Sequence, residues 1–229
     1  MAKLLEQAFS IRPEERSLVL SFFVFFVGIG MFYTVGSTVG DTLFLSSLPP
    51  AQVPRLLPWV YAGVAVANVL STLAFDAMQA RVSRTASIVG TQVLLAATVL
   101  GARQLIGEGS PLVYFGLVIW LEVCALLSIT LFFSFAGDYF APRDARRLYG
   151  FIAGGMALGT ILAGSAIRVT VTLLGTKNLL YVGAVLLALN AAISLWIFRI
   201  GKPVAQGDSD VQAAERVSLS TIFRRAAGR

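Results

Sequence analysis

The sequence predicts an all-α integral membrane protein, a bundle of six transmembrane helices, and three observations support this: its composition, its long apolar segments and the distribution of its basic residues. Hydrophobic residues make up 57% of the 229 residues and charged residues only 13%, and the mean hydropathy is +0.80. A water-soluble domain of this size leaves about a third of its surface in water, and this composition supplies too few polar residues to cover it. The composition therefore excludes an ordinary soluble enzyme, a disordered chain and a disulfide scaffold.

Six stretches of low charge justify the helices one by one. In chain order they are residues 17–40, 56–75, 85–102, 109–137, 148–167 and 178–198, and only the fourth contains a charge, Glu122. A spanning helix needs about 20 apolar residues, whereas a barrel strand needs about ten and alternates apolar with polar residues. The predicted spans are therefore about 17–40, 57–78, 85–105, 111–138, 147–172 and 178–199. Turn-forming residues separate them, and the first connection is expected to contain Pro49, Pro50, Pro54 and Pro58.

The basic residues predict the orientation of the bundle. With the N-terminus in the cytoplasm, 14 of the 18 basic residues lie on the inner side, and the outer side holds only Arg55, Arg103, Arg168 and Lys177. Cytoplasmic loops of membrane proteins carry such an excess of Lys and Arg. We therefore expect a multi-pass protein of the inner (cytoplasmic) membrane with both termini inside. Residues 1–16 would form an interfacial segment, residues 17–200 the transmembrane domain and residues 201–229 a basic cytoplasmic tail.

Several classes of chemistry are not expected from this sequence. It contains no His and one Cys, Cys124, so that a metal site or an internal disulfide is not expected. It also lacks a phosphate-binding loop and any nucleophile–base pair, so we expect neither an enzyme nor a bound cofactor. The net charge of +6 arises from the clusters between apolar segments and does not indicate nucleic-acid binding.

One acidic residue lies near the middle of a predicted span. An ionised Glu122 is costly at that depth, and its neighbours on the same helix are apolar, so its partner must come from another helix. Asn68, Gln92 and Asn190 are predicted at a similar depth in three other spans. Together the four residues predict a polar binding or coupling site at the bilayer midplane, where secondary transporters hold solutes and coupling ions. The alternative is a protonated Glu122 that holds helices together by hydrogen bonds.

The fifth span carries small residues at four-residue spacing. Gly155, Gly159 and Ala163 fall on one face, which lets another helix approach closely. The same stripe suits a sliding interface that opens and closes, or static packing between two helices.

Two predicted cytoplasmic connections resemble motifs of the major facilitator superfamily. Asp76 and Arg81 match the helix-end acid and basic residue of the first motif, although Thr72 and Gln79 replace its usual glycines. The second connection begins near Asp138 and continues with Arg143, Arg146 and Arg147. The resemblance implies a breakable cytoplasmic gate formed by Asp76, Arg81, Asp138, Arg143, Arg146 and Arg147. Ordinary placement of charges at helix ends is the alternative.

Within that superfamily, two segments look like the nucleotide (ATP/ADP) exchange transporter branch. They are residues 41–45, Asp-Thr-Leu-Phe-Leu, and residues 57–61, Leu-Pro-Trp-Val-Tyr. That branch carries basic residues late in the first helix to hold phosphates. Here residues 36–40 read Gly-Ser-Thr-Val-Gly and contain none, which departs from the branch's pattern.

The predicted helix number also departs from the superfamily, whose fold has twelve helices in two halves. The chain resembles the N-terminal half alone, and it would pair with a second copy or another chain, be part of a longer product, or have become a structural subunit. The resemblance implies a half-transporter that moves a small polar or anionic solute by alternating access. The other hypothesis is a non-transporting accessory subunit of a larger membrane complex. Under both hypotheses we expect two kinds of partner, the bilayer and another membrane subunit or second copy. The partner chain would cover the face that lines the pore in a complete transporter, because the polar residues on that face would otherwise meet lipid.

Overall fold

Six long helices run through the computed structural model, which describes residues 15–79, 81–106, 110–140 and 142–201. They are α1 (Arg16–Ser46), α2 (Val53–Gln79), α3 (Arg84–Leu105), α4 (Pro111–Tyr139), α5 (Pro142–Leu174) and α6 (Leu179–Ile200), with a short 3₁₀ helix, Thr176–Asn178, before α6. The predicted interfacial segment 1–16 and the tail 201–229 lie almost entirely outside the described residues.

All six helices are long and apolar enough to cross a membrane. Within the described residues this confirms the predicted all-helical class and the six predicted spans, and the chain is a multi-pass membrane protein. Helices satisfy their backbone hydrogen bonds internally, which the hydrocarbon layer requires, and the apolar side chains on their outer faces suit contact with lipid.

The first connection is shorter than predicted, because α2 already begins at Val53. Pro54 and Pro58, expected in the connection, are both within the helix, and that expectation was wrong. Pro54 occupies the first turn, where its missing N–H would have no helical partner in any case. Pro58 lies one turn further and leaves only the carbonyl of Pro54 without its usual donor, a loss that spanning helices tolerate.

α1 occupies the centre of the bundle. It packs most extensively against α5, and also against α6 and α4, while α3 packs on α6 and α2 packs on α4. The helix contacts are related by a swap in which α1, α2 and α3 take the places of α4, α5 and α6, and the reverse. Under this swap the α1–α5 contact becomes the α4–α2 contact, which is also present, and the α3–α6 and α1–α4 contacts are converted into themselves. The helix pairing therefore has the form of two related three-helix units, except that α3–α4 is a weaker contact than its counterpart α1–α6.

Aromatic rings fill the interface between α1 and α4. The rings of Phe26 and Phe132 are stacked with centroids 4.0 Å apart, and Phe22 meets the edge of Phe132 at 6.0 Å. Phe135 lies 5.1 Å from Phe22 and 4.9 Å from Phe198 of α6. Buried ring pairs of this kind stabilise by about 0.5–1.5 kcal/mol beyond their apolar area. They fix the rotation of α4 against α1.

Glycines bring the backbones of α1 and α5 together. A Cβ at Gly155 would lie 2.7 Å from the carbonyl oxygen of Phe23, and one at Gly159 would collide with the carbonyl oxygen of Val27. Ala163, the third small residue on this face of α5, is buried. The small residues therefore permit the most extensive helix contact in the described structure.

Candidate functional site

A cavity of about 560 Å³ lies between α1, α2 and α4. Glu122 of α4 lines it together with Tyr33, Ser37 and Asp41 of α1 and Tyr61 of α2, and the remaining lining side chains are apolar. The cavity is formed by the second half of α1, the first half of α2 and the first half of α4. It therefore lies in the half of the bundle that contains the α1–α2 connection.

Helical spacing explains why these polar groups meet. Tyr33, Ser37 and Asp41 are four residues apart, so they form a row along one face of α1. Glu122 lies eleven residues after the start of α4, which places it about 16 Å along that helix. Beside the cavity, α1 approaches α4 closely at Gly40, where a Cβ would lie 3.4 Å from the Cα of Val118. The close approach directs Glu122 into the space beside the Tyr33–Asp41 row.

Two carboxylates give the cavity its electrostatic character. Asp41 is exposed and Glu122 is half-buried, and the two are close enough to repel each other when both are ionised. No Lys or Arg is among the described residues that line the cavity. The site therefore favours a proton or another cation, and the hydroxyl groups of Tyr33, Ser37 and Tyr61 add neutral hydrogen-bonding groups.

The other three residues predicted at the midplane occupy different environments. Gln92 and Asn190 are fully buried, and a Cβ at Gly28 of α1 would collide with the amide oxygen of Asn190. Gly28 and Ser37 are nine residues apart, two and a half turns, so they lie on opposite faces of α1. The structure thus separates Asn190 from Glu122 by the width of α1.

Asn68 is nearer to the cavity. It follows Val64, a cavity-lining residue of α2, by one turn, and its amide oxygen is buried with no hydrogen-bond partner among the described residues. Asn68 is therefore on the side of the bundle that holds Glu122, whereas Gln92 is on α3, which packs on α6.

A group of hydrogen bonds centred on Arg84, called the arginine cluster below, joins α2, α3 and α4 at the opposite end of the bundle. Arg84 donates from Nε to Asp138 Oδ2 (2.6 Å) and from Nη2 to Asp138 Oδ1 (3.1 Å). It also donates to the carbonyl and hydroxyl oxygens of Ser134, both at 2.8 Å, and to the side-chain oxygen of Gln79. The ends of α2 and α4 are thereby tied to the start of α3.

The cluster contains one residue of the predicted gate, Asp138, and one that the sequence interpretation missed, Arg84. Asp76 and Arg81 are exposed. Arg143, Arg146 and Arg147 lie in the first turns of α5, but their side chains are outside the described part of the structure. The sequence did indicate that Arg84 has an acidic partner. A cation in the first turn of a helix is destabilised by the helix dipole, so an acidic residue is expected beside it.

A second arginine fixes the other end of α3. Arg103 donates from Nε and Nη2 to the side-chain oxygen of Asn178, at 3.0 and 2.7 Å. Its guanidinium carbon also lies 5.5 Å from the ring centre of Tyr181. These contacts join α3 to the start of α6, at the end of the bundle that holds the cavity.

No cluster of three or more His, Cys, Asp or Glu residues suited to a metal ion occurs among the described residues. Cys124 is a buried free thiol. In comparisons with known proteins, no family model, no curated protein and no solved structure matches the chain.

Proposed function

We propose that the chain is a secondary-transporter-like membrane protein, a half-transporter that binds a small solute between α1, α2 and α4 and moves it by alternating access. One observation carries the proposal: Asp41 and Glu122 line the same cavity, and Glu122 lies about 16 Å along α4, a helix of membrane-spanning length. Intramembrane carboxylates are costly and commonly serve binding or coupling. Glu122 would bind the solute or carry the coupling proton, and Asp41 would assist at the cavity's outer part.

The charge of the cavity narrows the class of solute. Two carboxylates with no basic residue among the described lining groups repel anions and attract cations. A small polar or cationic solute, or a proton exchanged for it, therefore fits better than the anionic solute also considered from the sequence. The same charge disfavours nucleotide phosphates, in agreement with the absence of basic residues at positions 36–40.

The helix arrangement supports a transporter origin. Inverted three-helix repeats build each half of a major facilitator transporter, and the pairing of the helices here has that form. The arginine cluster at the far end would act as the closed gate while the cavity is open. In this proposal the protein is related to the major facilitator superfamily, lies in an inner membrane and keeps both termini in the cytoplasm, so that the cavity faces outward.

A second function, an accessory subunit without transport activity, is favoured by the exposure of α2. Among its residues only Val60 and Phe75 are buried, and large side chains such as Trp59 and Leu70 are more than 60% exposed. An apolar helix exposed to this extent has room to pack against another subunit or a second copy as well as lipid. Such a subunit would need no solute in the α1–α2–α4 cavity.

A ligand-dependent stability measurement on the full chain in detergent tests the proposal. The midpoint of thermal unfolding would be recorded with potassium, tetramethylammonium and tetraethylammonium, and with phosphate and citrate as anionic probes. We expect a cation to raise the midpoint by several degrees and Glu122→Gln and Asp41→Asn to abolish the shift. Asp208→Asn, which removes a carboxylate that follows α6 in the sequence, should leave it intact. No shift with any cation would instead favour the accessory subunit, and an anion-dependent shift that survives Glu122→Gln would contradict the proposed cation site.

A further inference from the structure

Two amide side chains inside the bundle lack hydrogen-bond partners. Gln92 of α3 and Asn190 of α6 are both 0% exposed. The nitrogen and oxygen of each amide have no partner in the portion of the chain that the structure describes. An unpaired buried polar atom destabilises the folded state, and four such atoms lie in these two side chains. The two amides therefore require an additional hydrogen-bonding group.

Helical spacing places the two amides at one depth, between α3 and α6. α3 and α6 touch where a Cβ at Gly183 would lie 4.0 Å from a methyl group of Val99. Gln92 precedes Val99 by seven residues and Asn190 follows Gly183 by seven, which is two turns in each helix. Because α3 and α6 run in opposite directions, the step from Val99 back to Gln92 and the step from Gly183 forward to Asn190 both lead toward the same end of the bundle. Gln92 and Asn190 therefore lie on facing sides, about 10 Å from the Gly183–Val99 contact.

The surroundings define the chemistry of the occupant. Gly28 of α1 closes the site beside Asn190, and its missing side chain leaves the room that the amide oxygen occupies. Neither amide carries a charge, and a hard cation needs six or more oxygen ligands, whereas the two amides offer two. A water molecule both donates and accepts and makes about three hydrogen bonds when buried.

We propose that Gln92 and Asn190 form an internal water-binding site that joins α3 and α6 beside Gly28 of α1. The water accepts from one amide N–H and donates to the other amide's oxygen. The bridge sets the register of α3 against α6 in an environment that offers no competing solvent. This site is independent of the solute cavity, which lies on the opposite face of α1.

Side-chain amide NMR of the full ¹⁵N-labelled chain in lipid nanodiscs detects the water. The signals of the two amides are assigned by their loss in Gln92→Leu and Asn190→Leu. We expect both amides to show nuclear Overhauser cross-peaks to a long-lived water. Cross-peaks between the two amides with none to water would overturn the water site in favour of a direct amide–amide hydrogen bond.

A double-mutant cycle tests whether the two residues act as a unit. Each single leucine variant leaves the other amide unpaired and should lower the folding equilibrium constant by about 5–30-fold. The double variant removes both polar groups and should fall well short of the product of the two losses. Gln104→Leu, which removes an exposed amide of the same helix, is the matched control and should change little. Losses that multiply in the double variant would contradict a shared site.

Discussion

Arg84 and Asp138 form a two-point ion pair, with Nε–Oδ2 and Nη2–Oδ1 distances of 2.6 and 3.1 Å, between the start of α3 and the end of α4. The residues are 54 positions apart in the sequence, and the pair is strengthened by hydrogen bonds from Arg84 to Ser134. The side chains are 40% and 24% exposed, so water screens part of the attraction. The pair joins α3 to α4 at the end of the bundle opposite the cavity.

Loss of Arg84 should loosen that end of the bundle. We expect Arg84→Ala to lower the free energy of unfolding by about 1 kcal/mol, because the ion pair is partly exposed. Titration with a denaturing detergent, followed by circular dichroism, measures the change. Arg81→Ala removes an exposed arginine from the same connection and should have a smaller effect. Equal losses in the two variants would show that Arg84 has no special role.

Gly159 should be intolerant of even a methyl group. A Cβ there would collide with the carbonyl oxygen of Val27, and it would lie 3.0 Å from the amide nitrogen of Met31. We expect Gly159→Ala to lower the free energy of unfolding by about 1–3 kcal/mol, since α1 and α5 must separate. The same detergent titration reports the loss.

Gly154 supplies a control on the same helix, because a Cβ there meets no atom within 4 Å. Gly154→Ala should be neutral or stabilise by up to about 1 kcal/mol, since alanine favours the helix more than glycine does. If both alanine variants behave alike, the close α1–α5 approach at Gly159 is incorrect.

Gly28 and Asn190 should behave as a coupled pair. Gly28→Ala places a methyl group on the amide oxygen of Asn190 and is expected to destabilise the bundle. Asn190→Ala shortens that side chain, so Gly28→Ala should cost much less in its presence. The four unfolding free energies of this cycle give the coupling, and a coupling near zero would mean that the two positions do not meet.

The sequence was sufficient for the number and type of helices because length and hydropathy are local properties. The same properties placed Gln92, Asn190 and Glu122 at related depths. They did not show which way each side chain points, since a helix that is apolar on all sides does not reveal which of its faces packs against the other helices. Packing decides the rotation, and it turns Asn190 toward Gly28 and Glu122 toward the opposite face of α1.

The same limit explains why the shared cavity of Asp41 and Glu122 was not predicted. At the sequence level Asp41 lies at a helix end, where water is reachable and no partner is needed. That both residues line one cavity depends on α1 and α4 crossing beside Gly40, a contact between residues about 80 positions apart. Similarly, Arg84 was one of two arginines in its connection, with Arg81, and only the fold places it against Ser134 and Asp138.

In the proposed function, the acidic cavity is open to water at the end of the bundle that carries the α1–α2 connection. Ser37 lines the cavity, whereas Ser194 of α6 is fully buried. Single cysteines would replace Ser37 or Ser194 in a Cys124→Ala background. Gln52→Cys, in the α1–α2 connection, and Arg81→Cys, at the opposite end, report the two sides of the membrane.

Labelling of these variants with a membrane-impermeant maleimide, added to one side of sealed vesicles at a time, shows from which side water reaches the cavity. We expect Ser37→Cys to react from the side on which Gln52→Cys reacts, and Ser194→Cys to react from neither side. If Ser37→Cys is unreactive from both sides, or reacts only from the side of Arg81→Cys, the proposed cavity and the function built on it are contradicted.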